Sequence, residues 1–134
     1  VTPFFDTNIL VYAFLDVGKR GRALDLIAAG GTISAQVLNE FTNVARRKRQ
    51  RDWAEIERAI SVIRARFPDV LPLTAETHSA ALGLARDHGL AFYDALVVAS
   101  AIEAECDILY SEDMQHGRAI GGLCIVNPFL ESAP

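Results

Sequence analysis

The sequence predicts a single α/β domain over residues 1–134, with a mostly parallel sheet of four to five strands and helices on both faces. Three observations carry that expectation. Short apolar runs, "TPFF", "TISA", "DILYS" and "LCIVN", recur between longer stretches of helical period. No Pro-, Gly- or Ser-rich linker, repeat or low-complexity stretch divides the chain. Its 134 residues, 51% hydrophobic and 22% charged, suit one core that needs no staples.

Taken in order, "TPFF" reads as the first strand, followed by helices over Thr7–Leu15 and Arg20–Ala29. After the glycine pair at 30–31, "TISA" reads as a second short strand leading into a helix from about Gln36. That helix runs through "VLNEFTNVARRKR", and an amphipathic one covers "WAEIERAISVIRARF". Pro68 and Pro72 bracket "DVLPL", a connector with room for a strand. "TAETHSAALGLARDHG" has a capping threonine, an acid at the third helical position and a closing glycine. A helix over "DALVVASAIEAE", the strand "DILYS", a turn over "EDMQHG" and a last strand near "LCIVN" complete the chain.

Composition narrows the function classes. No apolar run reaches the roughly 18 residues of a membrane span, and no export signal is visible. Cys106 and Cys124 match no metal spacing, so they read as reduced packing thiols and the expected location is the cytoplasm. The net charge of −4 is unevenly spread: eight of 13 basic residues lie between Arg46 and Arg66, including "RRKRQR". From Asp87 onward there are eight acids and one base, Arg118. A basic stripe beside an acidic region can hold a phosphate backbone with one part and metal ions with the other. Taken alone, the same pattern is equally a solvated helix face.

Four acids stand where a site would form. In open parallel sheets the functional crevice lies at the carboxyl ends of the strands. Asp6 ends the first strand, and Asp113 follows "DILYS" by two residues. Glu40 sits at the rim of its helix's apolar stripe, between Val37 and Val44. Asp94 opens a helix that is apolar or small almost throughout. Helix capping accounts for Asp6 or Asp94 singly, since Asp is favoured at N-termini. It accounts poorly for four acids together. Like charges about 4 Å apart repel by about 4 kcal/mol at an effective dielectric near 20. A divalent cation reverses that penalty, and an all-oxygen donor set without His or Cys suits Mg²⁺ or Mn²⁺. His78, His88 and His116 lack ligand spacing, and neither a serine elbow nor a phosphate loop is present.

With those residues in place, the chain resembles a PIN-domain ribonuclease, specifically the VapC-type toxin of a toxin–antitoxin pair. "FFDTNIL" is similar to the family's opening motif and supplies Asp6 and Asn8. "VLNEF" supplies Glu40, "FYDALVVASA" supplies Asp94, and "LYSEDM" supplies Ser111 and Asp113. The resemblance implies metal-dependent hydrolysis of RNA to 5′-phosphate and 3′-hydroxyl ends. It implies one or two Mg²⁺ or Mn²⁺ ions, with Asp6, Asp94 and Asp113 as direct or water-mediated ligands. Glu40 would ligate or position the attacking water, with Asn8 and Ser111 in support. Arg46, Arg47, Lys48, Arg49 and Arg51 would hold backbone phosphates, with Trp53 the one aromatic close by. A homodimer and a cognate antitoxin are implied as well. The chain departs from some relatives after the last motif, where it carries Gln115 and His116. Glu112 adjoins Asp113 and is expected to be a solvated turn residue.

Two rivals share parts of this pattern. A dehalogenase-like phosphatase needs a second Asp two residues after the first, where this chain has Asn8. A catalytically inactive PIN-like RNA-contact or assembly module fits the fold but gives no reason to keep four mutually repelling acids. A DNA-directed relative of flap type shares the chemistry, but usually carries elements this short chain lacks.

Overall fold

The computed structural model describes residues 2–16 and 18–130. The first strand, β1 (Pro3–Phe5), leads directly into α1 (Thr7–Phe14) and then α2 (Arg20–Ala29). Next come α3 (Ala35–Asn43), a π-helical segment (Val44–Lys48), α4 (Trp53–Arg66), α5 (Ala75–His88) and α6 (Phe92–Glu103). The chain closes with β2 (Ile108–Tyr110), β3 (Ala119–Ile120) and β4 (Leu123–Val126).

The sheet runs β1-β2-β4-β3, with β1, β2 and β4 parallel and β3 antiparallel to β4. Phe4 and Phe5 point to opposite faces of β1, as successive strand residues must, and both are fully buried. Both faces of the sheet are therefore covered. Asp6 follows Phe5, which pairs with Tyr110, so the first acid lies beside the end of β2. Among the described residues, no helix is long and apolar enough to cross a membrane. Cys106 and Cys124 are both free thiols.

The α-helical segments follow their sequence signals closely. Asp52 caps α4 with a reciprocal box to Glu55, and Gly89 closes α5 in the left-handed conformation. In α5 the expected acid, Glu76, sits one position early, and the box to Thr74 is made by the Thr77 hydroxyl instead. Three departures are larger. "TISA" forms no strand of its own, because its residues divide between two partners. Thr32 pairs with β1 through bonds to Pro3 and Phe5, while Ile33 and Ala35 bond Leu71 in "DVLPL". One residue on each side is too short for a ladder, and α3 starts at once. The helix expected through "RRKR" changes to π-type at Val44. Finally, β3 was missed: Gly121-Gly122, both with positive φ, makes the two-residue hairpin turn that joins it to β4. That glycine pair was a readable signal. The turn over "EDMQHG" accordingly leads into β3.

The close approach of Gly31 to β1 gives a first prediction. A Cβ there would stand 2.4 Å from Phe5 Cε2 and 3.0 Å from the Pro3 carbonyl. Phe5 cannot yield, since its ring packs edge-on to Phe67 and stacks on Tyr110. Gly31→Ala is expected to lower stability by about 1–3 kcal/mol, read as a fall in the urea midpoint at unchanged slope.

Candidate active site at the carboxyl edge of the sheet

Asp6, Glu40, Asp94 and Asp113 line one cavity of about 730 Å³, together with Asn8. They come from four separate elements: the β1–α1 junction, α3, the first turn of α6 and the loop after β2. Nothing local in the sequence brings them together. The parallel sheet places Asp6 and Asp113 at its carboxyl edge, and α3 and α6 carry the other two acids to the same cavity.

Asp6 is the best-held of the four. Its Oδ1 accepts from the Thr7 amide at 2.7 Å, at the N-cap of α1. Its Oδ2 accepts from the Ser111 hydroxyl at 2.7 Å. That hydroxyl in turn accepts from the amides of Asp113 and Met114 at 3.3 and 3.4 Å. One side chain thus joins the end of β1 to the turn that carries Asp113. Thr7, which sequence reasoning passed over, donates its hydroxyl to Glu40 Oε2 at 2.7 Å and ties α1 to α3. Its position beside Asp6 gave no hint of a partner 33 residues away.

Asp94 and Asp113 accept no side-chain hydrogen bond among the described residues, so both carboxylates are free to meet a ligand. The N-cap of α6 is Ala91, without a side-chain cap, and Asp94 lies in the first turn. Its charge there gains from the exposed amide hydrogens of the helix start. Glu112 is not the solvated residue expected: it accepts from Tyr12 at 2.8 Å and pairs with Lys19 at 2.7 Å. Lys19 also lies over the Tyr12 and Phe129 rings. With Glu112 so occupied, Asp113 is the acid of the pair that lines the cavity. His116 accepts from the Asn127 amide beyond β4 and is not among the cavity's lining residues.

Burial pushes the Asp6 carboxyl up to about 7, against its two hydrogen bonds, and the charges of Glu40 and Asp94 push the same way. Burial likewise raises Glu40, opposed by the bond from Thr7 and aided by Asp94 and Asp113. Asp94 is raised by burial and then by Asp113. The cavity is therefore short of positive charge. Asn8 adds a second sign of a missing partner, since its buried amide oxygen and nitrogen both lack hydrogen bonds.

Among the described residues, no group of three His, Cys, Asp or Glu side chains stands ready to hold a metal together. The arrangement fits a hydrated hard cation met by one or two carboxylates, with water filling the remaining positions, and not a dry cage.

The basic run divides in two. Arg49 makes a bidentate pair with Asp16 at 2.8 and 2.7 Å. Arg51 holds the Leu15 carbonyl and Glu55, and Arg46 bonds the Arg51 carbonyl while stacking on Trp53. Arg47 and Lys48 make no side-chain bond among the described residues, and Lys48 lines the cavity. Three of the five candidates are thus committed to holding the π segment and its neighbours.

A PIN-domain family model matches residues 4–120 of the chain. Among solved structures, VapC20 of Mycobacterium tuberculosis, described as a sarcin-ricin loop cleaving toxin, is similar at 20% identity. That match has a TM-score of 0.69 and covers 84% of this chain and 90% of the other. A chain of a toxin–antitoxin complex from Klebsiella pneumoniae matches at 21% identity and TM-score 0.73, covering 96% and 98%. A chain of VapBC2 from Rickettsia felis, solved with a promoter DNA fragment, matches at 19% identity and TM-score 0.67, covering 93% and 97%. At these identities the likeness establishes the fold. No curated protein is significantly similar in sequence.

The raised carboxyl of Asp6 has a thermodynamic consequence. Between 3.8 and about 7 the folded chain keeps a proton at Asp6 that the unfolded chain has released. This group's contribution is therefore greatest below the unfolded value and is lost as pH rises through about 7, by an amount of order 4 kcal/mol. Asp6→Asn, which keeps an acceptor for Thr7 or Ser111 but cannot ionise, is expected to flatten the fall of melting temperature between pH 5 and 7.5. Equal slopes in both proteins, measured in EDTA, would contradict this account of the site.

Proposed function

The chain belongs to the PIN-domain family, and from that premise we propose that it is a metal-dependent endoribonuclease, the toxin of a toxin–antitoxin pair. The observation that carries this reading is the convergence of Asp6, Glu40, Asp94 and Asp113, from four elements, on one cavity at the carboxyl edge of the parallel sheet. The similar solved structures support it, one described as a sarcin-ricin loop cleaving toxin and one as a toxin–antitoxin complex.

In this reading Asp6, Asp94 and Asp113 would hold one or two Mg²⁺ or Mn²⁺ ions, directly or through water. A bound divalent ion supplies a lowered pKa for water and neutralises charge on the phosphate oxygens. The chain's own residues do the rest. Glu40, half-buried and held by Thr7, orients the attacking water and accepts its proton. The water oxygen bonds to phosphorus, the bond to the 3′-oxygen breaks, and that oxygen takes a proton from solvent. The products are a 5′-phosphate and a 3′-hydroxyl. Ser111 positions Asp6 and the turn bearing Asp113, and Asn8 offers its unpaired amide to water or phosphate. Of the five candidates in the basic run, Arg47 and Lys48 are the two without a side-chain bond among the described residues. They are available for backbone phosphates, contacts that favour affinity over sequence choice. An acidic cavity of this kind also suits an inserted arginine from an antitoxin, and a homodimer belongs to the same reading.

The rival, an RNA-binding module without turnover, draws on the lack of a ready three-acid group among the described residues. Purified chain, freed of any antitoxin, separates the two when incubated with total RNA in Mg²⁺, in Mn²⁺ and in EDTA. Discrete cuts ending in 5′-phosphates are expected, absent in EDTA. Asp94→Asn should reduce cutting at least about a hundredfold, and Ser111→Ala about ten- to a hundredfold. RNA bound but uncut by a folded, metal-loaded sample would favour the rival.

A further inference from the structure

The π-helical segment alters which basic residue faces the cavity. On α3 and its continuation the lining residues are Gln36, Asn39, Glu40, Asn43 and Val44, spaced as one face of a regular helix. Continued in α-form, that face would next present Arg47. Instead the wider turn over Val44–Lys48 delays the register, and Lys48 lines the cavity, with Arg49, already paired to Asp16, while Arg47 does not. Arg49 bonds back to the Val44 carbonyl at 3.1 Å, and Gln50 closes the segment at a φ of +52°, a conformation that side chains resist. Such turns cost hydrogen-bond geometry and are frequent at functional sites.

A second side chain at the cavity is also without a job. Tyr93, next to Asp94 in the first turn of α6, is 63% exposed. Exposed apolar side chains scattered singly are ordinary. Tyr93 differs from the others, which include Trp53 and Leu82, in being the one among the described residues that lines the cavity. Its hydroxyl makes no hydrogen bond among the described residues, and its described ring contact is a tilted one with Phe92 at 6.1 Å. Trp53, the one aromatic close to the basic run in sequence, already carries Arg46 over its ring at 4.7 Å. The volume of about 730 Å³ far exceeds what a hydrated ion needs and suits part of a polymer.

We infer that Tyr93 and Lys48 together hold one unpaired nucleotide at the cavity, the Tyr93 ring stacking on its base and the Lys48 ammonium meeting a neighbouring phosphate. This deepens, and rests on, the nuclease reading. A base inside a duplex has both faces covered, so a tyrosine at the lip selects a nucleotide that is already unpaired or can be splayed out. Stacking tolerates every base, so the preference is for an exposed base more than for a particular letter. Lys48, a point charge on a flexible stem, can follow the phosphate without fixing its orientation.

The test uses the full chain carrying Asp94→Asn, so that cutting is slow relative to binding, in Mg²⁺, with short single-stranded RNAs bearing 2-aminopurine at successive positions. Binding is expected to quench fluorescence strongly at one position. Adding Tyr93→Ala should abolish that quench and weaken binding about tenfold, whereas Tyr93→Phe should preserve both. Lys48→Ala should weaken binding at every position and lower the salt dependence by about one ion, leaving the quench in place. An unchanged, position-specific quench in Tyr93→Ala would overturn the inference while leaving the nuclease reading intact. Cleavage by the wild-type chain judges that reading separately. No RNA binding in any protein, with no cleavage by the wild type, would remove both.

Discussion

Asp6 is held in the interior because Ser111 donates to one of its carboxyl oxygens at 2.7 Å and the Thr7 amide donates to the other. The same Ser111 hydroxyl accepts from the amides of Asp113 and Met114. One small side chain therefore sets the separation of two strand ends and the path of the loop that follows. Remove that hydroxyl and two backbone amides lose their acceptor as Asp6 loses its donor. Buried groups left unpaired in this way cost about 1–3 kcal/mol each. The geometry of the acidic edge depends on this contact more than on any property of the acids themselves.

What the contact maintains is an electrostatic imbalance. Burial and mutual repulsion both work against charge at Asp6, Glu40 and Asp94, and no described basic side chain neutralises them. Lys19, the basic residue nearest Asp6 in sequence, is spent on Glu112. Arg49 lines the cavity but is paired with Asp16. The fold thus carries a destabilised polar cluster inside an otherwise well-packed domain, a pattern expected where function sets the terms. The metal-dependent reading gives that cluster a purpose, since a divalent ion is the ligand that turns repulsion into binding energy.

Much of the fold and of the acidic edge is legible in the sequence. Strand–helix alternation gave the parallel sheet, and the rule that sites form at carboxyl strand ends singled out Asp6 and Asp113. Asp94 stood out because an acid in so apolar a helix calls for an explanation. The failures have physical causes. "TISA" has strand composition, but pairing is a tertiary matter, and its residues split between Pro3–Phe5 and Leu71. The π turn leaves no trace in a hydrophobic period, because "RRKR" has no apolar face to shift. Glu112 and Thr7 were misjudged or missed because their partners, Lys19, Tyr12 and Glu40, are distant in sequence. Tyr93 hid in a motif already assigned to Asp94. The hairpin at Gly121-Gly122 differs from these, since its glycine pair is a local signal in the sequence.

The most direct test of the central claim is a Mn²⁺ titration followed by water-proton relaxation, comparing the wild-type chain with Asp6→Asn, Asp94→Asn and Asp113→Asn. The account predicts one or two saturable sites in the wild type, competed by Mg²⁺ and weakened in every variant. Absence of saturable binding in the wild type, or affinity indifferent to all three substitutions, would contradict it.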